Sequence, residues 1–185
     1  MSAKLEFFAT CPKGVGDILA DELVSFGALN AKESAAGVSF EGTLETAYRA
    51  CLWSRVASRI LLPLAQFPVE NQEDLYEGIR AVPWEEHLSP DSTFAVHASG
   101  SAGTVDHTHF ASLKVKDAVV DRFRDLYGKR PSVDIRHPAA RLNLHLARGK
   151  STISLDLSGE ALHKRGYRRE KGKAPLKENL AAAIL

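Results

Sequence analysis

The sequence has no apolar run of the roughly 18 residues that a membrane-spanning helix requires. Its N-terminal stretch is interrupted by Glu6, Lys13 and Asp17, which excludes a secretory signal peptide. Cysteine is scarce, since only Cys11 and Cys51 occur, and they lack the CxxC spacing of a zinc ribbon or a thioredoxin motif. These absences predict a soluble cytoplasmic protein with two free thiols.

Motifs of several common enzyme classes are also missing. The chain contains no HExxH, GxSxG, GxGxxG or Walker A sequence, which argues against a zinc protease, a serine hydrolase and the usual dinucleotide and nucleotide sites. Of the 7 histidines only His107 and His109 are close in sequence, and a solvated helix start explains them better than a metal site. We therefore expect no catalytic residue, no metal and no bound cofactor in this chain.

Charge is distributed unevenly along the chain. Residues 1–92 contain 7 Lys and Arg against 14 Asp and Glu, whereas residues 93–185 contain 17 against 9. A basic second half indicates an anionic partner, of which nucleic acid is the commonest and an anionic membrane surface the next.

The periodicity of residues 1–69 predicts the order β-α-β-β-α-β, which is the ferredoxin-like arrangement. Thr43 is placed to cap the second helix. The apolar stripe predicted to face the core on this helix consists of Leu44, Ala47, Tyr48, Cys51, Leu52 and Val56.

Residues 70–159 predict a second, α/β unit. Asn71 is placed to cap its first helix, and residues 93–98 alternate as a strand. A long helix over 109–127 follows, and residues 141–147 and 152–157 form a hairpin through the loop 148–151. The buried side predicted for the long helix consists of Phe110, Leu113, Val120, Phe123 and Tyr127.

The loop from Gly100 to Gly103 has two interpretations. A GxxG between a strand and a helix can let backbone N–H groups approach a phosphate, as in the GXXG loop of KH domains. The alternative is a plain flexible connection, which is the commoner case for so short a pattern.

The segment over residues 160–175 carries many cations and few apolar residues. Cations at this density neutralise phosphates, and Tyr167 and His163 can stack on unpaired bases, so we expect RNA binding rather than a solvated linker. The candidate RNA-binding residues are Arg136, Arg141, Arg148, Lys150, His163, Lys164, Arg165, Tyr167, Arg168, Arg169, Lys171 and Lys173.

Three stretches carry a resemblance to a known family: HFASLKVKDA from His109, LDLSGEALHKRGYR from Leu155 and APLKENLA from Ala174. They resemble the N-terminal part of bacterial THUMP-domain RNA methyltransferases, most closely the large 23S rRNA guanine-N2-methyltransferases. The resemblance covers essentially the whole chain and implies an α+β protein. Its implied parts are a ferredoxin-like domain over 1–69, a THUMP RNA-binding domain over 70–159, and a basic linker with the start of a methyltransferase domain over 160–185.

The same resemblance implies how the chain functions. It would bind structured large-subunit rRNA and position it for a catalytic domain of the same protein that uses S-adenosylmethionine. The glycine-rich methyl-donor loop and the Asn-Pro-Pro-Tyr-type motif of that domain do not occur here, so we expect the chain to be inactive alone. Leu176, Leu180, Ala181, Ile184 and Leu185 begin an apolar helix, from which we expect an N-terminal fragment.

Two other functions remain open at this point. The acidic first half can dock a basic partner such as a ribosomal protein, which would make the chain a protein-interaction module. Alternatively, the chain is a stand-alone enzyme that binds a nucleotide or S-adenosylmethionine at the Gly100–Gly103 loop.

Overall fold

The computed structural model describes residues 4–166 and 175–185. It divides into two compact units, of which the first contains the residues up to 62 and those from 157 on, and the second contains residues 63–156. Within the described residues, no helix has the length and apolar content to cross a membrane.

The first unit has the predicted ferredoxin-like order. Its elements are β1 (Leu5–Thr10), α1 (Gly16–Ser25), β2 (Leu29–Ser34), β3 (Gly37–Gly42), α2 (Leu44–Trp53) and the start of β4 (Arg59–Pro68). The strands pair antiparallel in the order β2-β3-β1-β4. Phe7 and Phe40 lie opposite each other in the β1–β3 register, and their rings stack with centroids 5.3 Å apart.

Helix α2 begins where predicted, and its buried face agrees with the prediction in part. The Thr43 side chain accepts a hydrogen bond from the N–H of Thr46, which completes the predicted cap. The predicted stripe is wrong for Leu44, Tyr48 and Leu52, which are 42%, 56% and 62% exposed. Ala47 and Val56 are buried as predicted, and Thr46 and Ala50 complete the buried side of the helix.

The residues after β8 (Lys150–Asp156) return to the first unit. The N–H groups of Leu157 and Leu162 donate to the carbonyls of Ile60 and Ser58, both at 2.9 Å. Ser158 Oγ accepts from the N–H of Ile60 at 2.7 Å. We expected a linker from residue 160, but the described residues up to 166 lie against this unit, held by these long-range hydrogen bonds.

Helix α5 (Glu178–Ile184) also belongs to the first unit. Asn179 is 1% exposed, and its Nδ2 donates to Val56 O at 3.2 Å and to Ser58 Oγ at 2.8 Å. Leu180 packs against the core of this unit, whereas Ile184 is 70% exposed. A buried polar side chain therefore anchors this helix together with part of the predicted apolar stripe.

The second unit is α/β, as predicted. Its remaining elements are α3 (Gln72–Ala81), a 3-10 turn (Trp84–Glu86), β5 (Thr93–Gly100), α4 (Thr108–Tyr127), β6 (Ser132–Val133) and β7 (Ala140–Ala147). From residue 63 on, the strand order is β4-β8-β7-β5-β6, with β5 parallel to β6 and β7 and with β7 antiparallel to β8. Both helices pack on the face of the sheet that carries Leu142, Leu144 and Leu146.

Helix α4 buries its small residues, as α2 does. The predicted buried side is wrong for Phe110, Leu113 and Tyr127, which are 41%, 37% and 51% exposed. Val120 and Phe123 are buried as predicted, and the rest of the buried side is Ala111, Val115, Ala118 and Val119.

A bidentate ion pair joins the 3-10 turn to α4. The Arg122 Nε and Nη2 donate to the two carboxylate oxygens of Glu85 at 2.9 and 2.6 Å, and Nη1 donates to Arg80 O at 3.0 Å. The hydrogen bonds from Arg122 lower the pKa of Glu85 from 4.5 to about 2. The ion pair thus stabilises the fold fully above the ordinary Glu pKa, and this contribution is lost as the pH falls towards 2.

Glu85→Gln is expected to lower the free energy of unfolding by about 1 kcal/mol at neutral pH, since the pair is partly solvated. Urea unfolding should show this difference shrinking as the pH falls from about 5 to about 2. A difference that stays constant over this range would contradict an ionised Glu85 in the folded protein.

Candidate nucleic-acid interface

The β7–β8 hairpin presents two of the predicted cations. Its two-residue loop consists of Arg148 and Gly149, with φ of 52° and 72°, the backbone of a type I′ turn. Arg148 and Lys150 are exposed, and we call these two residues the hairpin cations. Arg141 is half-buried and lies opposite Asp156 in the β7–β8 register. The turn therefore projects two charges into solvent, whereas Arg141 lies beside a carboxylate.

Arg136 lies in a short loop of the second unit that a carboxylate organises. The Asp134 Oδ1 accepts from the N–H groups of Arg136 and His137 at 2.9 and 3.0 Å. These two backbone hydrogen bonds, that from His137 first, lower the pKa of Asp134. The Arg136 side chain is exposed, so the loop holds its backbone and leaves its charge in solvent.

Arg165 lies in the first unit and caps α2. Its Nη1 donates to Leu52 O at 2.7 Å, and its Nη2 donates to Cys51 O at 2.8 Å and to Ser54 O at 3.0 Å. The last carbonyls of a helix have no partner within the helix and carry its negative dipole end, so a guanidinium satisfies and stabilises them. Arg165 therefore has a structural role that the sequence pattern did not predict.

His163 and Lys164 line a cleft of about 440 Å³ in the first unit. Its other lining residues are Gly166, Pro175, Leu176, Lys177 and Glu178. Burial, and after it the charge of Lys177, lowers the pKa of His163, whose Nδ1 is buried and has no hydrogen-bond partner within the described residues. The lowered pKa favours the neutral form of His163, and the cations among the described lining residues are Lys164 and Lys177.

The predicted residues divide between the two units. Arg136, Arg141 and the hairpin cations belong to the second unit, and the described residues from His163 to Arg165 belong to the first. The other five predicted residues lie outside the described residues; they are Tyr167, Arg168, Arg169, Lys171 and Lys173.

Backbone amides in and beside the Gly100–Gly103 loop already donate hydrogen bonds within the protein. The N–H groups of Ser101, Ala102 and Thr104 donate to the carbonyls of Leu146, Val105 and Glu70 at 3.1, 3.1 and 2.8 Å. A Cβ at Gly100 or Gly103 would lie 1.9 Å from Leu146 O or 2.0 Å from Glu70 O. The glycines thus permit close backbone packing, and the loop does not fit a phosphate or a nucleotide. Metal-ligating side chains do not cluster anywhere in residues 4–166 and 175–185.

The sheet of the second unit has a polar face that was not predicted from the sequence. In β7, Asn143 and His145 alternate with the buried leucines and therefore point away from α3 and α4. His97 and Ser99 lie beside them in the β5–β7 register. The strict alternation of β7 was the available signal, because a strand with one buried face must present every second side chain on the opposite face.

Comparison with known proteins gives a consistent picture for both units. Residues 6–61 match the family model of the RlmL ferredoxin-like domain, and residues 69–156 match that of the THUMP domain. Over all 185 residues the chain is 58% identical to the ribosomal RNA large subunit methyltransferase K/L of Syntrophotalea carbinolica. The protein of the same name from Pseudomonas paraeruginosa is 54% identical over the same length. The chain spans 26% of the length of each of these relatives.

Solved structures of similar fold are also longer than this chain. SMU.472, described as a putative methyltransferase complexed with SAH, has a TM-score of 0.85 and 28% identity. The match covers 100% of this chain and 48% of that chain. A Listeria monocytogenes protein described as a predicted N6-adenine-specific DNA methylase has a TM-score of 0.85 and 31% identity, over 98% of this chain and 48% of that chain.

Proposed function

Because this chain belongs to the family with an RlmL ferredoxin-like domain followed by a THUMP domain, we propose that it is the RNA-binding part of a large-subunit rRNA methyltransferase. In this proposal the chain binds structured rRNA and positions it for guanine-N2 methylation by a catalytic domain of the same protein. That domain would use S-adenosylmethionine. The Gly100–Gly103 loop of this chain does not offer a site for this molecule, because the amides of Ser101, Ala102 and Thr104 are already hydrogen-bonded within the protein.

The observation that best supports the proposal is the placement of the hairpin cations. A type I′ turn fixes Arg148 and Lys150 at the end of two paired strands, so two charges are presented on a rigid support. Arg136 adds a third exposed cation in the same unit. Cations held in this way neutralise phosphates without first ordering a loop, which favours binding to a structured RNA backbone.

A separate binding domain suits methylation of a base. An enzyme that modifies an exocyclic amine must reach a base that is unpaired or extruded from its stack. When one domain holds the surrounding RNA, the effective concentration of the target at the catalytic domain rises. The catalytic domain can then use its own contacts to stabilise the transition state.

The twelve residues named from the sequence have different weights in this proposal. The hairpin cations, Arg136 and Lys164 are exposed and are proposed to contact phosphates. Arg165 is proposed to act through the fold, because at least three of its five donors are bound to α2 carbonyls. His163 is proposed to meet a base as a neutral ring rather than as a cation.

Removing the hairpin cations tests the proposal on the chain as it stands. The double change Arg148→Ala and Lys150→Ala is expected to weaken binding to a structured large-subunit rRNA fragment about 10-fold at physiological salt, since two phosphate contacts are lost. Fluorescence anisotropy with labelled RNA measures this change.

The matched control is the double change Lys129→Ala and Arg130→Ala. It removes the same charge from exposed positions of the same unit, after the end of α4. We expect its RNA affinity to fall less than about 2-fold. Equal losses in the two variants would mean that net charge alone governs binding and would contradict a site at the hairpin.

A further inference from the structure

The polar face of the sheet in residues 63–156 carries uncharged hydrogen-bonding side chains at its centre, with Lys150 towards one end and the Arg141–Asp156 pair towards the other. The uncharged residues are Gln66 on β4, His97 and Ser99 on β5, Asn143 and His145 on β7, and Thr152 on β8. We call this set the open face. The two helices of residues 63–156, all of which the structure describes, pack on the opposite face of the sheet.

Two hydrogen bonds order the side chains of the open face. Ser99 Oγ lies 3.1 Å from Nδ1 of His145, and Gln66 Nε2 donates to Thr152 Oγ1 at 3.1 Å. His145 and Thr152 lie opposite each other in the β7–β8 register, so the two pairs are neighbours. His97, His145 and Gln66 are exposed. The polar groups are therefore both ordered and accessible, which lowers the entropy that a ligand must remove on binding.

The hairpin cations lie at one end of this face. Lys150 is opposite Ala147, which alternates with the buried Leu146, so its side chain lies on the same side of the sheet as His145. A ligand whose phosphates meet Arg148 and Lys150 thus places its adjoining sugars along the open face.

The chemistry of the open face suits a hydroxyl group. A neutral imidazole has one donor and one acceptor nitrogen, and Ser99 engages Nδ1, which leaves Nε2 of His145 for a ligand. A ribose 2′-hydroxyl both donates and accepts, so it pairs with Nε2 in either tautomer. DNA has no such group at this position.

We propose that the open face contacts ribose 2′-hydroxyl groups and that His145 and Thr152 make the chain prefer RNA to DNA of the same sequence. This inference rests on the proposed function, because it requires an RNA whose phosphates are held at the hairpin. The surface cations supply most of the affinity for either nucleic acid, and the open face distinguishes between the two.

The test compares an RNA hairpin with a DNA hairpin of the same sequence, using anisotropy titrations of the 185-residue chain. The double change His145→Ala and Thr152→Val is expected to reduce RNA affinity about 5- to 10-fold, the effect of two lost hydrogen bonds. DNA affinity is expected to change less than about 2-fold, since the cations are intact. The control is His109→Ala, an exposed histidine at the start of α4 on the helical side of the sheet, which should affect neither affinity.

Three outcomes separate the two proposals. If RNA binding depends on the hairpin cations but the RNA-to-DNA ratio is the same in the variant and the wild type, the open face has no role and the proposed function stands. If the variant loses RNA and DNA affinity equally, the open face does not distinguish ribose from deoxyribose, and the inference is overturned. If the wild-type chain binds neither nucleic acid, the proposed function itself fails.

Discussion

Gly100→Ala is expected to destabilise the second unit by at least about 3 kcal/mol. Gly100 is the last residue of β5 and has a φ of +79°, and a Cβ there would lie 1.9 Å from the carbonyl oxygen of Leu146. This neighbour is backbone in the paired strand β7, so no side chain can rotate away to make room. Urea unfolding is followed through tryptophan fluorescence in a Trp53→Phe background, so that the signal comes from the buried Trp84 of this unit.

Gly149→Ala is the matched control for this change. Gly149 also has a positive φ, of +72°, but its added Cβ would meet nothing within 4 Å. Only the left-handed backbone then opposes alanine, at a cost of about 1 kcal/mol. If the two variants had equal stability, close packing would not be the reason for Gly100, and a ligand role for the loop would have to be considered again.

Arg165→Ala is expected to lower the stability of the first unit by about 2 kcal/mol. The change removes three charge-assisted hydrogen bonds to carbonyls at the end of α2, which no other group in that helix can satisfy. Hydrogen exchange of the amides in the last turn of α2, followed by mass spectrometry, should become faster by a factor of about 30, which corresponds to the loss of about 2 kcal/mol.

Lys164→Ala is the control for Arg165. Lys164 is the preceding residue, is exposed and carries the same charge, so its removal should leave exchange in α2 unchanged. If RNA affinity falls in the Lys164 variant while α2 remains protected, the two neighbours have separate roles. Faster exchange in both variants would contradict a specific cap by Arg165.

Local signals in the sequence predicted the fold well. Thr43 and Asn71 begin helices because their side chains accept hydrogen bonds from the first free amides. Gly128, with a φ of 64°, ends α4 for the reason that glycine usually ends helices. Alternation predicted the β7–β8 hairpin, since a period of two residues in burial is typical of strands and not of helices.

The buried faces of α2 and α4 were the weaker predictions. Ala47 and Ala50 in α2, and Ala111 and Ala118 in α4, are buried, whereas larger neighbours such as Tyr48 and Phe110 are exposed. The sequence pattern gave the large apolar side chains too much weight, because an alanine is compatible with either face of a helix and composition alone does not show which alanines are buried.

The twelve RNA-binding residues remain a prediction, although the structure shows how each described one is placed. The hairpin cations were named for their charge, and the structure leaves both exposed. Arg165 was grouped with the RNA-binding residues because local charge density carries no information about carbonyls more than 100 positions earlier in the chain. Asn179 is similar, because its partners Val56 and Ser58 are equally remote in sequence.

These long-range contacts decide how the RNA proposal should be tested. Truncation after Gly159 would remove Leu162, Arg165 and Asn179 from the first unit, so a loss of binding could result from unfolding. Point substitutions at exposed cations avoid this problem, since they leave the buried contacts intact.

The most direct measurement is the salt dependence of affinity between the 185-residue chain and a structured large-subunit rRNA fragment. We expect the logarithm of the association constant to fall with the logarithm of salt concentration with a slope of about −2 to −4, which corresponds to a few neutralised phosphates. In the Arg148→Ala and Lys150→Ala chain, the slope should become shallower by about 1 to 2. Absence of binding, or a slope that is the same in both chains, would contradict RNA binding through the hairpin cations.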